Sequence, residues 1–275
     1  MEIYKIPIEF AIIVFPFVAF ILTIPFLIFQ YRKYGAIPVV KSLVFYSFIL
    51  YIITSYFMVI LPLPSMKYVS QLETDTMQLI PFQFIKDIME TIPPNINTLE
   101  EFIKIFNVST VYIVIFNFFL TLPYGVYLRY YFNKKWYQTI ILTFILSLFF
   151  ELTQLSGLYG IYPRPYRLFD VDDLIINTLG GLFGHIITPF FMLFLPTNQE
   201  LESQSYTKGK SVTILRRVIA VLIDIIFISI ISIIIKILLF YTTLTKYSNL
   251  ISVLLYYIFV PILFSGQTIG KNIVK

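Results

Sequence analysis

The chain has 275 residues, of which 58% are hydrophobic and only 13% charged. A soluble domain carries about 25% charged residues, so this composition, spread over the whole chain, excludes an ordinary soluble core and indicates a polytopic membrane protein. The absence of cysteine excludes disulfides and thiolate metal sites, and His185 as the single histidine excludes a histidine-cluster metal centre. The net charge of +5 sits in short basic clusters between apolar runs. That pattern suits membrane orientation and speaks against nucleic acid as a partner.

A helix needs about 20 apolar residues to cross the hydrocarbon core. Seven segments qualify: 10–29, 39–61, 108–131, 137–155, 173–195, 214–240 and 249–265. Lipid offers the backbone no hydrogen-bonding partner, so helices are expected and the fold class is an all-α transmembrane bundle. The first segment is preceded by Glu2, Lys5 and Glu9 and lacks both a basic leader and a small-residue cleavage site. It reads as a retained helix, not a signal peptide.

Between the second and third segments lies a long loop, Pro62 to Asn107, rich in acidic residues. Within it, Leu79 to Met89 is apolar enough to lie on the membrane surface as a short helix, broken by Pro93-Pro94. The polar stretch 196–213 is the clearest boundary in the sequence. It divides a membrane domain over 1–195 from a second one over 214–275 and is expected to be a cytoplasmic linker. Of the twenty basic residues, twelve fall on the side that holds Arg32, Lys33, Lys134, Lys135, Arg216 and Arg217. The positive-inside rule then places the N-terminus outside and the C-terminus in the cytoplasm.

Polar residues concentrate in one place. Glu151 and Gln154 are three apart on the fourth segment and share a helix face. Asp170, Asp173 and Asn177 follow at three-then-four spacing where the fifth segment begins, and Gly180, Gly181 and Gly184 extend the stripe. The Gly180–Gly184 pair allows a neighbouring helix to come close. Arg164 and Arg167, in the short connecting loop, are within reach of these acids, and either could pair with Glu151 or Asp173.

Asp170 could cap the helix and Asp172 could face water, but capping does not explain Glu151 and Gln154 on the opposite helix. Ionisable residues at membrane depth are costly and usually have a role, although a purely structural polar clamp has the same composition. No nucleophile–base pair is present. The carboxylates could act as acid and base, bind a divalent cation, or recognise a headgroup or sugar with an arginine taking a phosphate. Asn117, followed by Pro123 and Gly125, and His185 lie deeper. Each is expected to bond a neighbouring helix.

These residues resemble a known family. Glu151-Leu-Thr-Gln154, then Arg167-Leu-Phe-Asp170-Val-Asp-Asp173-Leu-Ile-Ile-Asn177 and the glycines after it, is similar to the signature of the VanZ-like membrane proteins. Asn117 to Gly125 resembles that family's asparagine–proline–glycine segment, and Leu79-Ile-Pro81-Phe82 its short outer motif. The resemblance spans about 10–195 and implies a five-helix bundle in a bacterial membrane. The family's namesake is associated with low-level teicoplanin resistance, which implies a cell-envelope role. Expected partners are membrane lipids and a lipid-linked precursor or glycopeptide, with no cofactor. A transporter or lipid flippase and a carboxylate-dependent hydrolase or transferase stay open as alternatives.

The C-terminal part is similar to a second family. Arg216-Arg217-Val-Ile-Ala220-Val-Leu-Ile-Asp224 with Gly266-Gln267-Thr268-Ile-Gly270-Lys271 resembles the RDD membrane domain. Some members of that family are linked to ion or proton exchange. Arg217 and Asp224, seven apart, share a helix face. The chain ends at Lys275, where that family continues into another helix, so a partial domain of two spans is expected.

Overall fold

The structure is a computed structural model. It describes residues 2–36, 39–91, 105, 108–197, 200, 203, 207, 214–240 and 242–274. Pro93-Pro94 and most of the polar stretch 196–213 lie outside the described residues. Eight helices carry the architecture: α1 (Glu2–Tyr34), α2 (Val39–Ile60), α3 (Gln83–Thr91), α4 (Ser109–Tyr130), α5 (Trp136–Leu155), α6 (Val171–Met192), α7 (Ile214–Leu238) and α8 (Ser248–Leu263). All but α3 are long and apolar enough to cross a membrane, matching the seven expected spans. Their outward faces are apolar, with Phe17, Phe20, Ile233 and Ile237 exposed, as lipid-facing surfaces require.

The largest departure from the sequence reading is α1, which runs well past 10–29 at both ends. A Lys5–Glu9 pair one turn apart supports its start, and Arg32 and Lys33 complement the dipole of its last turn. Polar helix ends of this kind carry no hydropathy signal. Of the surface helix expected over Leu79 to Met89, the helical part starts at Gln83 and runs to Thr91, because Phe82 adopts a left-handed backbone (φ 65°) that ends the turn before it; the same loop also holds a short helix, Met66–Ser70.

The chain forms two compact units. The first comprises residues 1–16 and 44–198. Its centre is α4 packed against α6, with α5 also packed on α6 and touching α4. Small residues make the α4–α6 approach possible. A Cβ on Gly180 would lie 2.1 Å from the Phe118 carbonyl oxygen, and one on Gly184 would lie 1.9 Å from that of Leu122. Thr121 Oγ1 donates to the Asn177 carbonyl across this contact (2.6 Å).

The α5–α6 contact is a polar ladder. Thr139, Thr143, Ser147 and Glu151 recur every four residues on α5, so they form one stripe. Thr139 meets His185 Nδ1 at 2.9 Å, Thr143 packs on Gly181, and Ser147 accepts from Asn177 Nδ2 at 2.8 Å. Above the ladder, Val59, Ile60, Leu61, Val69, Leu120, Phe150, Leu158 and Tyr162 form an apolar core.

The second unit comprises residues 17–43 and 199–275. The sequence boundary at 196–213 puts 17–43 with the N-terminal domain, but packing groups it with the C-terminal helices. Tyr31 is buried with Ile219, Ala220, Ile223 and Val274, and Leu27 and Ile28 pack against that cluster. Hydropathy locates spans but does not say which spans share a core. Ser232 donates to Asn249 across α7 and α8 (2.6 Å). A final helical turn, Ile269–Ile273, closes on α7, where a Cβ on Gly270 would lie 2.0 Å from the Ala220 carbonyl oxygen.

Candidate functional site

The polar residues gather at the end of the first unit where α4 and α6 begin and α2 and α5 finish. Three short loops are tied together there. Phe169–Asp170 pairs in parallel with Met77–Gln78. Tyr162 Oη donates to the Pro64 carbonyl at 2.7 Å, and Tyr166 Oη to that of Ile60 at 3.1 Å. The two-residue β pair and the tyrosine clasps hold the 156–169 loop against the end of α2, so the residues it carries are fixed in place.

Below these loops lies a cavity of about 460 Å³. Glu151, Gln154, Arg167, Asp170, Asp173, Asn177 and Asn117 all line it, facing an apolar wall that includes Met58, Ile113, Phe116 and Leu120. Asn117 lies eight residues into α4 and Asn177 six into α6, so the polar lining runs roughly 9–12 Å down the helices. Six of the seven cluster residues named from sequence are therefore brought to one space, and Asn117 joins them.

The hydrogen-bond partners separate structural groups from available ones. Glu151 Oε2 accepts from the Asp170 amide (3.1 Å), and Gln154 Nε2 donates to the Val59 carbonyl (3.0 Å). Asn117 hydrogen-bonds Asp173. Arg167 donates to the Leu61 carbonyl (3.3 Å) and has no ion pair among the described residues. Asn177 Oδ1 is buried and has no partner among the described residues. A buried carbonyl oxygen without a donor costs about 1–3 kcal/mol.

Asp170 caps α6, its side chain accepting from the Asp172 amide at 2.8 Å. Burial raises the Asp170 carboxyl above its ordinary value, with the neighbouring Asp172 and Asp87 charges adding to the shift.

Two expectations need correction. Asp172 does not face water: it is 3% exposed. Its two oxygens accept from the Phe82 and Phe84 amides (2.5 and 2.9 Å), which anchors the left-handed turn at Phe82 and the start of α3. The signal for this was Leu79–Phe82 itself, an apolar turn with backbone donors needing an acceptor. Arg164 does not reach the acids: it donates to the Thr74 carbonyl and so ties the two loops together.

The deeper candidates have structural partners. His185 meets Thr139, and the Arg129 guanidinium donates to the His185 carbonyl (2.9 Å). In the second unit, Asp224 is 4% exposed, and its Oδ1 accepts from Tyr256 Oη (2.5 Å) and the Gly270 amide (2.6 Å). Arg217 is exposed at the rim of a separate cavity. Thr139, Thr143 and Ser147 were missed because each looks unremarkable alone. Only their four-residue spacing ahead of Glu151 marks them as one face.

A multi-pass helical membrane protein with an acid-lined, half-apolar cavity at one end is the class these features define. The family model described as VanZ/LLP1 matches residues 48–192, more than half of the chain, and the chain belongs to that family. The match contains every residue lining the acidic cavity but Pro7 and leaves 1–47 and 193–275 unassigned. No curated protein and no solved structure matches this chain.

Proposed function

We propose that the protein is a bacterial envelope protein that binds the head of an amphiphile in the Glu151–Asp173 cavity. In this reading the N-terminus and the cavity face outside. The ligand is a lipid-linked envelope precursor or the lipid-tailed end of a glycopeptide, and binding gives low-level protection against teicoplanin-type drugs. The observation that carries the reading is one cavity lined by Glu151, Asp173 and Asn177 together with an apolar wall. An acceptor-rich floor suits a head that donates hydrogen bonds, such as an amine or a ring of hydroxyls, and the apolar wall suits the attached chain.

The volume sets a limit. Small-ligand pockets run from about 300 to 1,000 Å³, so 460 Å³ takes a headgroup or a sugar but not a whole glycopeptide. A polar path across the membrane for transport has less support, because His185 and Asp224 are each committed to partners. A carboxylate-dependent hydrolase or transferase is the second reading, favoured by Glu151 and Asp173 lining one space. The C-terminal helices are proposed to be a partial RDD-like domain on the strength of Arg216, Arg217, Asp224 and Gly270-Lys271 alone.

The test is drug susceptibility in a strain lacking the protein, complemented with wild type or Glu151→Gln at matched membrane abundance. The drugs are teicoplanin, a lipid-tailed glycopeptide and an unrelated cell-wall inhibitor. Protection by wild type that Glu151→Gln abolishes supports the binding site. Identical susceptibility of all strains rules out the resistance reading.

A further inference from the structure

The second unit holds a cavity of about 730 Å³, larger than the acidic one and opposite to it in charge. Arg216, Arg217 and Lys271 line it, with Gln267 adding an amide and Ala220, Val221 and Val274 an apolar side. Asp224, the one acid among the described residues that line it, is engaged: Tyr256 and the Gly270 amide both donate to it. Neither the Arg217 nor the Lys271 side chain has an ion pair among the described residues. Arg216 is held in place by its Nε donating to the Val274 carbonyl at 2.6 Å.

Basic residues flanking a span ordinarily extend separately toward the interface. Here they converge. Arg216 and Arg217 start α7, while Lys271 is brought back to them by the Gly266 turn and the Gly270–Ala220 contact. Those two backbone features put a third cation on one wall.

We propose that this cavity binds a phosphate-bearing anion, the headgroup of an anionic phospholipid or a free phosphate ester. The Arg217 guanidinium supplies planar paired donors that match phosphate oxygens, and Lys271 adds a point charge. Val218 and Leu222, exposed on α7 beside Val221, continue the apolar side as a surface for acyl chains. The inference rests on neither family resemblance nor on the function proposed for the acidic cavity.

The full-length protein in zwitterionic detergent is titrated with dihexanoyl phosphatidylglycerol, dihexanoyl phosphatidylcholine and glycerol 3-phosphate. Wild type binds phosphatidylglycerol, and the Arg217→Gln/Lys271→Gln variant weakens that binding on the order of tenfold or more. Lys246→Gln, a basic residue outside the cavity, leaves it unchanged. Both changed side chains are exposed, and an unaltered thermal midpoint without ligand certifies the fold. Arg217→Gln alone gives the same answer at smaller size if the double variant unfolds.

Equal binding of phosphatidylcholine, equal binding by wild type and the cavity variant, or equal loss in Lys246→Gln overturns the proposal. Displacement of the lipid by glycerol 3-phosphate assigns the site to free phosphate esters. Retention of the lipid against it assigns the site to the membrane.

Discussion

Asp224 and Glu151 look alike in sequence, each a lone acid in an apolar helix. The structure treats them differently. Asp224 takes two short hydrogen bonds on one oxygen, from a buried tyrosine and from a backbone amide, and so fixes the C-terminal turn onto α7. Glu151 takes one longer bond, from the Asp170 amide, and lines a cavity together with Asp173 and Asn177. A buried carboxylate is therefore not a site by virtue of being buried. What distinguishes the two is whether its acceptor capacity is used up by the fold or left facing open space.

Substitution breaks this comparison most directly. Asp224→Ala leaves the Tyr256 hydroxyl and the Gly270 amide without an acceptor, an expected cost of about 3 kcal/mol from two bonds to a charged group. Glu151→Gln keeps an oxygen for the Asp170 amide, so its expected cost is about 1 kcal/mol or less. Thermal unfolding of both variants in one detergent decides the matter. A lower midpoint for Glu151→Gln than for Asp224→Ala would reverse the assignment of structural and functional acids.

Gly184→Ala comes next. The added methyl meets the Leu122 carbonyl oxygen at 1.9 Å, a backbone atom that cannot turn aside, so α4 and α6 must separate. Overpacking of this kind costs about 1–3 kcal/mol. Because α4 and α6 also form walls of the cavity, a loss of ligand binding should accompany the loss of stability. Glu151→Gln should lose binding alone. An unchanged unfolding midpoint in Gly184→Ala would mean that the helices do not approach as described.

Asp172→Ala acts locally. It removes both acceptors for the Phe82 and Phe84 amides, and nothing then offsets the left-handed backbone at Phe82, itself a cost of order 1–3 kcal/mol. Hydrogen exchange should quicken across residues 82–91 while α4, α5 and α6 keep their protection. Uniform acceleration through those helices would instead make Asp172 part of the global core.

The spans were readable because lipid imposes one rule on every crossing segment, and the rule is written in composition. The cavity was readable in part for the same reason: Glu151, Asp173, Asn177 and Asn117 are conspicuous against apolar neighbours. What stayed hidden depends on long-range pairing. That Asp172 serves Phe82 and Phe84, ninety residues away, follows from the meeting of two loops, which spacing along one helix does not encode. The placing of 17–43 with the C-terminal helices is hidden likewise, since Tyr31 and Ile219 are both simply apolar when read alone. Arg164 illustrates the opposite error. Proximity in sequence to the acids suggested an ion pair, yet the chain carries its guanidinium to Thr74.

The smallest effect concerns Asp170, the cap of α6. Burial holds its carboxyl above the ordinary 3.8. The folded state therefore favours the protonated form more than the unfolded chain does. The sign follows: the stabilisation linked to this group is complete below the unfolded value and is lost as pH rises through the raised folded value. Asp170→Asn keeps a capping oxygen for the Asp172 amide and removes the titration. Unfolding midpoints measured from pH 4 to 7 should fall less steeply with rising pH in Asp170→Asn than in wild type. Parallel slopes would mean that the cap is solvated. The end of α6 would then be wetter than the cavity beneath it, and Glu151 would share its floor with bulk water.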